Sequence, residues 1–157
     1  MSTKTYALIE YLIKHVDDRA MLATLRRGLG KSVGESIEIF PILMPVIGSN
    51  PSEEHMASAF QVASLFALHP VHTEKGNFGE HVKRLKQAGQ EESSTERRFI
   101  QLLRLRRESI DAPLRQHVQI LKSKDIPINW NQLFYDLQYW SHPDHFVQES
   151  WAKAFWG

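Results

Sequence analysis

The chain has 157 residues, of which 42% are hydrophobic and 24% charged, and its net charge is only +1. This composition predicts a folded protein of ordinary domain size and excludes a disordered tail. The absence of cysteine excludes disulfides and thiolate metal sites, and it fits a reducing cytoplasm. The first residues lack the apolar run of a signal peptide, and Glu38, Pro41 and Pro45 interrupt the most apolar stretch, so we expect no membrane span.

The first half of the chain has apolar patterns with the period of a helix. Four helices are predicted there from capping residues, glycines and prolines: about 4–15, 17–28, 33–47 with a kink or division at its prolines, and 52–68. Asn77-Phe78-Gly79 marks a turn, and a short basic helix follows it to about Gln87.

The second half begins after a polar stretch, residues 90–94, and continues the helical pattern. Its predicted helices cover about 94–108, 111–124, 129–140 and 144–155. No convincing alternating strand is present. The predicted fold class is therefore all-α, a compact bundle of about eight or nine short helices. The polar stretch divides it into an N-terminal half, 1–89, and a C-terminal half, 90–157, which form one domain if they pack together.

The basic residues are segregated although the net charge is small. Fifteen of the nineteen Lys and Arg residues lie in four stretches without any acid: 19–31, 83–86, 97–107 and 115–124. Successive helical residues are 100° apart, which places the basic residues of three stretches opposite apolar stripes. The residues predicted on these basic faces are Arg19, Arg26, Arg27, Lys31, Arg97, Arg98, Arg104, Arg107 and Arg115.

These basic faces have two interpretations. A basic helix face is usually only solvated. However, a solvated helix usually mixes both signs of charge, whereas these stretches contain no acids. Arginine also suits bidentate contact with phosphate. The pattern alone leaves a solvated surface and a polyanion-binding surface equally open.

Other chemistries have weaker support. The His69/His72 and His142/His145 pairs each span a proline break and lack further ligands, so no metal site is expected. There is no glycine-rich nucleotide loop and no convergent acid, base or nucleophile, which leaves an enzyme of unrecognised type as a remote alternative. Asp136 lies in an apolar helix and is interpreted as a buried partner for an arginine.

The four tryptophans lie in the last predicted helices. Trp130, Trp140 and Trp151 have the spacing of core residues, because aromatic residues at helical spacing are usually buried. Trp156 is close to the C-terminus, and we expect that it packs instead against a partner.

Short motifs occur in a fixed order from about residue 18 to the C-terminus. They are Asp18-Arg19-Ala20 with Leu25-Arg26-Arg27-Gly28, Leu65-Phe66-Ala67-Leu68-His69-Pro70, Gly76-Asn77-Phe78-Gly79, Glu96-Arg97-Arg98-Phe99 with Leu102-Leu103, Leu114-Arg115-Gln116-His117-Val118, Asn129-Trp130 with Leu133, Asp136-Leu137 and Trp140, and Trp151-Ala152-Lys153 with Phe155-Trp156. Together they resemble the CasB family. CasB is the small subunit of Cascade, the type I-E CRISPR surveillance complex.

The resemblance implies a non-enzymatic, all-helical, cytoplasmic protein without a cofactor. Two copies would work inside a ribonucleoprotein with the other Cascade subunits. They would contact the crRNA–target duplex and the displaced DNA strand, and so stabilise the R-loop. The alternative function is a helical adaptor whose basic faces bind acidic protein surfaces.

The resemblance also implies which arginines touch nucleic acid. The motif residues are Arg19, Arg26, Arg27, Arg97 and Arg98, whereas Lys31, Arg104, Arg107 and Arg115 are added from the helical faces alone. For Arg98 a second role stays open, because an arginine beside a core phenylalanine can pair with Asp136 and hold the bundle together.

Overall fold

The computed structural model describes residues 4–157, which form nine α-helices joined by short connections. The helices are α1 Ala7–Lys14, α2 Arg19–Arg26, α3 Phe40–Ile47, α4 Glu53–Leu68, α5 Phe78–Gln87, α6 Glu92–Arg104, α7 Asp111–Ser123, α8 Trp130–Gln138 and α9 Phe146–Trp156. Three short 3-10 helices cover Val33–Glu35, Ile37–Ile39 and Arg107–Ser109. Within residues 4–157 the β pairing is one isolated bridge between His72 and Ile128. The all-α prediction is confirmed.

Four helices begin at capping side chains, and one of these caps, Asn77, lies in the segment that the sequence predicts as a turn. In each case a side-chain oxygen accepts a hydrogen bond from the amide three residues later, which satisfies a donor at the helix start. The pairs are Asp18 with Met21 at 3.0 Å, Ser52 with His55 at 3.1 Å, Asn77 with Glu80 at 3.1 Å and Asn129 with Gln132 at 3.1 Å.

The segment 33–47, predicted as a helix that its prolines kink or divide, is divided. It forms two 3-10 helices and then α3, whose first turn contains Pro41. Proline has no amide donor, and the first turn is the place in a helix where that donor is not needed. The proline therefore starts a new helix instead of kinking an existing one.

The end of α6 also differs from its prediction. The helix ends at Arg104, and Leu105 is extended, whereas the sequence pattern predicts helix as far as Glu108. Two contacts with the end of α8 fix the chain beyond Arg104. Trp140 Nε1 donates to the Leu105 carbonyl at 2.9 Å, and Arg107 Nε donates to the Leu137 carbonyl at 3.2 Å.

One contiguous apolar core joins the helices. Helix α2 packs on α4, α4 packs on α8, and α5 packs along α9. A side-chain carbon at Gly79 would overlap the Trp151 backbone, so this close approach of α5 and α9 requires glycine. The division into two halves at residues 89 and 90 remains a prediction, although α5 and α9 pack together across that boundary.

The tryptophans in the core fill the space around α8. Trp130, Trp140 and Trp151 are at most 2% exposed, as their spacing predicts. Trp156 is 46% exposed, and its Nε1 donates to Glu96 Oε1 at 2.6 Å. That Trp156 packs against a partner remains a prediction.

Asp136 is buried beside these tryptophans, but its predicted arginine partner is wrong. Its Oδ2 accepts from Trp151 Nε1 at 2.7 Å, and its Oδ1 accepts from Gln132 Nε2 at 2.9 Å. Burial raises the pKa of Asp136 to about 6, which these two hydrogen bonds partly oppose. Arg98 therefore has another role than pairing with this carboxylate.

The described residues contain neither a membrane span nor a cluster of metal ligands. None of the helices in residues 4–157 is long and apolar enough to cross a membrane. In the same part of the chain, no three His, Asp or Glu side chains come together in a group suited to a metal ion.

Candidate nucleic-acid interface

The nine predicted contact residues fall into two regions. The N-terminal basic region comprises Arg19, Arg26, Arg27 and Lys31, on α2 and the turn after it. The C-terminal basic region comprises Arg97, Arg98, Arg104, Arg107 and Arg115, on α6, the 3-10 helix after it and α7.

Helix α2 has the two faces that its sequence indicates. Met21, Leu22 and Leu25 are at most 6% exposed, and this buried side of α2 packs on α4. All four residues of the N-terminal basic region are exposed. The helix therefore presents its basic residues to solvent because its apolar stripe is held in the core.

Two of these exposed arginines also contact the rest of the fold. Arg26 Nη1 donates to the Ala67 carbonyl at 3.2 Å, across the α2–α4 contact. Arg27 Nε donates to Glu38 Oε1 at 3.0 Å, with both side chains more than half exposed. Glu38 lies outside the acid-free stretch 19–31, but the fold brings it close enough to form an ion pair with Arg27.

The turn after α2 brings the two basic regions together. A side-chain carbon at Gly28 would lie 2.6 Å from Ile39 Cδ1 and 2.7 Å from Ser64 Oγ, so the turn packs tightly on its neighbours. Gly30 has a φ of +76°, and Arg115 Nη1 would lie 2.9 Å from a side-chain carbon at that position. Arg115 of α7 therefore lies directly against the turn that carries Lys31.

Helix α6 presents its basic residues as its periodicity predicts, as far as the helix extends. Arg97 and Arg104 are exposed together with Gln101, whereas Phe99 and Leu102 are fully buried on the other side. The three exposed residues follow the spacing i, i+4, i+7 and so share one face of the helix.

Arg107 points into the protein, which corrects its predicted place on the flank of α6. Beyond its bond to Leu137, its Nη2 donates to Ser58 Oγ at 3.1 Å, so it joins α4 to the end of α8. Burial lowers the pKa of Arg107, and the nearby carboxylates Asp111 and Glu54 oppose that shift. These contacts give the Arg107 guanidinium a structural role.

Arg115 is partly covered and paired with an acid. Its Nη1 lies 3.1 Å from Asp111 Oδ2, one helical turn earlier, while Asp111 Oδ1 accepts from Gln61 Nε2 at 3.2 Å. The buried stripe opposite Arg115 agrees with the sequence analysis, because Leu114, Val118 and Leu121 are fully buried. The ion pair reduces the charge that Arg115 presents to a ligand.

Two cavities border the N-terminal part of α7. One, of about 330 Å³, lies between the turn after α2, α4 and the start of α7, and includes Lys31, Gln61 and Arg107. The other, of about 430 Å³, lies between α6 and α7 and includes Arg98, Arg104 and His117. The fold thus groups Lys31 with Arg107 around one cavity and Arg98 with Arg104 around the other. A third cavity, of about 520 Å³, contains none of the nine residues.

His117 is a buried polar residue between α6 and α7 that the sequence pattern does not single out. It lies among the apolar stripe residues of α7 and is 2% exposed. Its Nδ1 lies 2.8 Å from the Pro113 carbonyl, while its buried Nε2 has no hydrogen-bond partner in the described protein. A histidine inside an otherwise Leu/Val stripe was the available signal.

A family model and a related protein both match this chain to the CRISPR-associated protein Cse2. The family model of the CRISPR-associated protein Cse2 matches residues 21–156. The Cse2 protein of Thermus thermophilus is 29% identical over 139 residues, which cover 88% of this chain and 79% of that protein. Residues 21–156, which the Cse2 family model matches, include eight of the nine predicted contact residues, and Arg19 lies outside them.

Two solved structures illustrate the shared fold. M. ruber CasB is 28% identical and superposes with a TM-score of 0.79, covering 96% of this chain and 93% of that chain. A chain of a CRISPR RNA-guided surveillance complex is 24% identical and superposes with a TM-score of 0.81, covering 95% of this chain and 89% of that chain.

Proposed function

Because the chain belongs to the Cse2 family of CRISPR-associated proteins, as its resemblance to CasB predicted, we propose that it is a non-catalytic, cytoplasmic subunit of a CRISPR RNA-guided surveillance complex. The fold that it shares with a chain of such a complex supports this proposal. Within that complex it acts beside other Cascade subunits and a second copy of itself.

Its role in the complex is to hold nucleic acid by the phosphate backbone. One observation carries this proposal: α2 and α6 bury one face and present arginines on the other, and Arg19, Arg97 and Arg104 form no ion pair within residues 4–157. Unpaired, exposed guanidinium groups suit phosphate contact, and such contacts need no base recognition.

The nucleic acid is the R-loop, namely the crRNA–target duplex and the displaced DNA strand. R-loop formation exchanges one duplex for another of similar stability, so modest contacts to the backbone shift the balance. The guide reads the sequence, and this subunit supplies positive charge along the strands. Arg26, Arg27, Lys31 and Arg115 add to the surface, with Arg27 and Arg115 weakened by their acid partners.

Salt dependence of binding tests this role in the isolated chain. Arg97→Ala and Arg19→Ala are each compared with Lys75→Ala, which removes one exposed charge outside the two basic regions. Affinity for an RNA–DNA duplex and for single-stranded DNA is measured at several salt concentrations. Each arginine variant is expected to lower the slope of log affinity against log salt by about one unit, because one phosphate contact is lost.

The Lys75→Ala control is expected to keep the slope of the wild-type chain. An unchanged slope in both arginine variants, with the fold intact by circular dichroism, would remove Arg19 and Arg97 from the interface. A wild-type chain that binds neither nucleic acid but is retained by acidic proteins would favour the adaptor function instead.

A further inference from the structure

Trp156 is an exposed aromatic residue that the proposed phosphate contacts leave unused. It is 46% exposed, whereas the other three tryptophans are at most 2% exposed. Single exposed apolar residues are common on protein surfaces, so exposure alone does not identify a ligand. The position of the ring and the charges around it define what this residue can bind.

The ring of Trp156 is held in place by its neighbours. Its Nε1 donates to Glu96 Oε1 of α6 at 2.6 Å. The Phe155 ring meets it edge to face with the centroids 4.7 Å apart, and the centroid of the buried Phe99 ring lies 5.8 Å away. The N–H group is the one polar group of an indole, so the rest of the ring is apolar. A ring fixed before binding loses little conformational entropy when a ligand packs on it.

Helix α5 packs along α9 and brings two lysines to this end of α9. Lys83 Nζ donates at 2.6 Å to the carbonyl of Gly157, the residue after Trp156. Lys86 Nζ lies 4.4 Å from the centroid of the Phe155 ring, which itself contacts the indole. Each of the two ammonium groups thus contacts a residue next to Trp156 in the chain. Both lysines belong to the acid-free stretch 83–86, which the proposed phosphate contacts also leave unused.

The charges around Trp156 favour a nucleic acid over a protein as its partner. Besides the two lysines, the exposed Arg97 follows Glu96 on α6. Two acids are also present: Glu96 accepts from the indole, and Glu92 lies 3.8 Å from Lys86 Nζ. An aromatic ring beside cations is typical of surfaces that bind single strands, where a base stacks on the ring and the backbone meets the cations. The centre of a protein interface, in contrast, is depleted of lysine and glutamate.

We propose that Trp156 stacks on one unpaired base of a single strand, and that Lys83 and Lys86 contact the phosphates next to that base. The inference rests on the proposed nucleic-acid function and adds a base-stacking step to it. Every base has an aromatic face, so the step requires no particular sequence. It extends the interface from Arg97 on α6 to the end of α9.

An abasic strand separates base stacking from phosphate binding. The full chain is titrated with single-stranded DNA and with an abasic strand of the same length, which carries the same phosphates. The ratio of the two affinities measures the contribution of the bases. Trp156→Ala removes the ring, and Trp156→Phe keeps an aromatic ring. Tyr139→Ala is the matched control, because Tyr139 is 43% exposed at the end of α8.

The ratio is expected to fall by about fivefold or more in Trp156→Ala, because stacking on one base is lost. It is expected to stay within about threefold of the wild-type value in Trp156→Phe and to equal that value in Tyr139→Ala. The slope of log affinity against log salt stays unchanged in these three variants. The double variant Lys83→Gln with Lys86→Gln is expected to lower that slope by about one to two units. An unchanged slope in the double variant would remove both lysines from the site.

Tryptophan fluorescence gives a second readout that does not depend on affinity. A base stacked on Trp156 quenches its emission, whereas the other three tryptophans are shielded in the core. At saturation, single-stranded DNA is therefore expected to quench the wild-type chain more strongly than the abasic strand does. Trp156→Phe is expected to abolish this difference. If Trp156→Ala fails to fold, the comparison of the wild type with Trp156→Phe decides the question.

Equal ratios in the wild type and in folded Trp156→Ala would overturn the inference, and a persisting salt slope would leave the proposed function intact. Release of the Trp156→Ala subunit from a reconstituted complex before target DNA is added, with an unchanged ratio, would identify a protein partner and overturn it as well. A wild-type chain that binds neither strand would overturn both proposals.

Discussion

The two basic regions look alike in the sequence but differ in the fold. In the N-terminal basic region all four residues are exposed, and the helical wheel of α2 describes them correctly. In the C-terminal basic region Arg97 and Arg104 are exposed, whereas Arg107 is partly buried and hydrogen-bonded to Leu137, and one nitrogen of Arg98 is buried. An acid-free run of arginines therefore does not by itself show that each of its arginines lies on the surface.

The reason for the difference is how each helix ends. Helix α2 ends at a local signal, because Gly28 and Gly30 follow it. Helix α6 ends at Arg104, and contacts with the distant α8 fix the chain that follows. The residues predicted as the last turn of α6 therefore include a separate 3-10 helix, Arg107–Ser109. The Arg107 side chain points into the protein, toward Leu137 and Ser58.

Replacing Arg107 is expected to give the largest effect on stability. Arg107→Ala removes the donor to buried Ser58 Oγ and one of the two donors to the Leu137 carbonyl, which keeps the Trp140 amide, and we expect a loss of about 2–3 kcal/mol in the free energy of unfolding. Arg97→Ala, at the exposed face of α6, is expected to change it by less than about 0.5 kcal/mol. Urea unfolding measures both. Equal losses would mean that the contrast between the two arginines is wrong.

Gly28 tests whether tight packing positions the N-terminal basic region. Gly28→Ala forces a carbon against Ile39 and Ser64, and we expect a loss of about 1–3 kcal/mol, measured by urea unfolding. Gly34→Ala is the matched control, since nothing lies within 4 Å of its new carbon. If Gly28→Ala is as stable as Gly34→Ala, the turn is not held by close packing.

The smallest expected effect concerns the acid that pairs with Arg27. Glu38→Gln removes an exposed ion pair and is expected to change stability by less than about 1 kcal/mol. Nucleic-acid affinity at low salt is expected to rise by about two- to threefold, because Arg27 becomes available for phosphate. Asp125→Asn removes an exposed acid elsewhere and serves as the control in the same titration. A smaller gain in Glu38→Gln than in Asp125→Asn would contradict a role for Arg27.

Much of the fold follows from local sequence signals. Capping residues such as Asp18 and Asn129 and the apolar stripe of α2 act within a few residues of their partners, so helix starts and buried faces were predictable. The sequence does not decide between a kink and a division in segment 33–47, because a proline is compatible with either a kink or a new helix start.

Parts of the candidate site were not predictable from the sequence. Arg107 meets Ser58 and Leu137, which lie 49 and 30 residues away, and no periodicity relates such positions. Glu38 reaches Arg27 across a turn in the same way, although the stretch around Arg27 contains no acid. The unpaired nitrogens of Arg98 and His117 likewise become visible only when α6 and α7 are packed together.

The central claim is that the exposed arginines hold the R-loop by its phosphates. The most direct test is the lifetime of the R-loop in a reconstituted surveillance complex, measured at several salt concentrations. The double variant Arg97→Ala with Arg104→Ala is compared with Lys14→Ala with Lys75→Ala, which removes the same charge outside the basic regions. The account predicts that the arginine variant shortens the lifetime and weakens its salt dependence, while the lysine variant matches the wild type. An unchanged lifetime in a fully assembled arginine variant would contradict it.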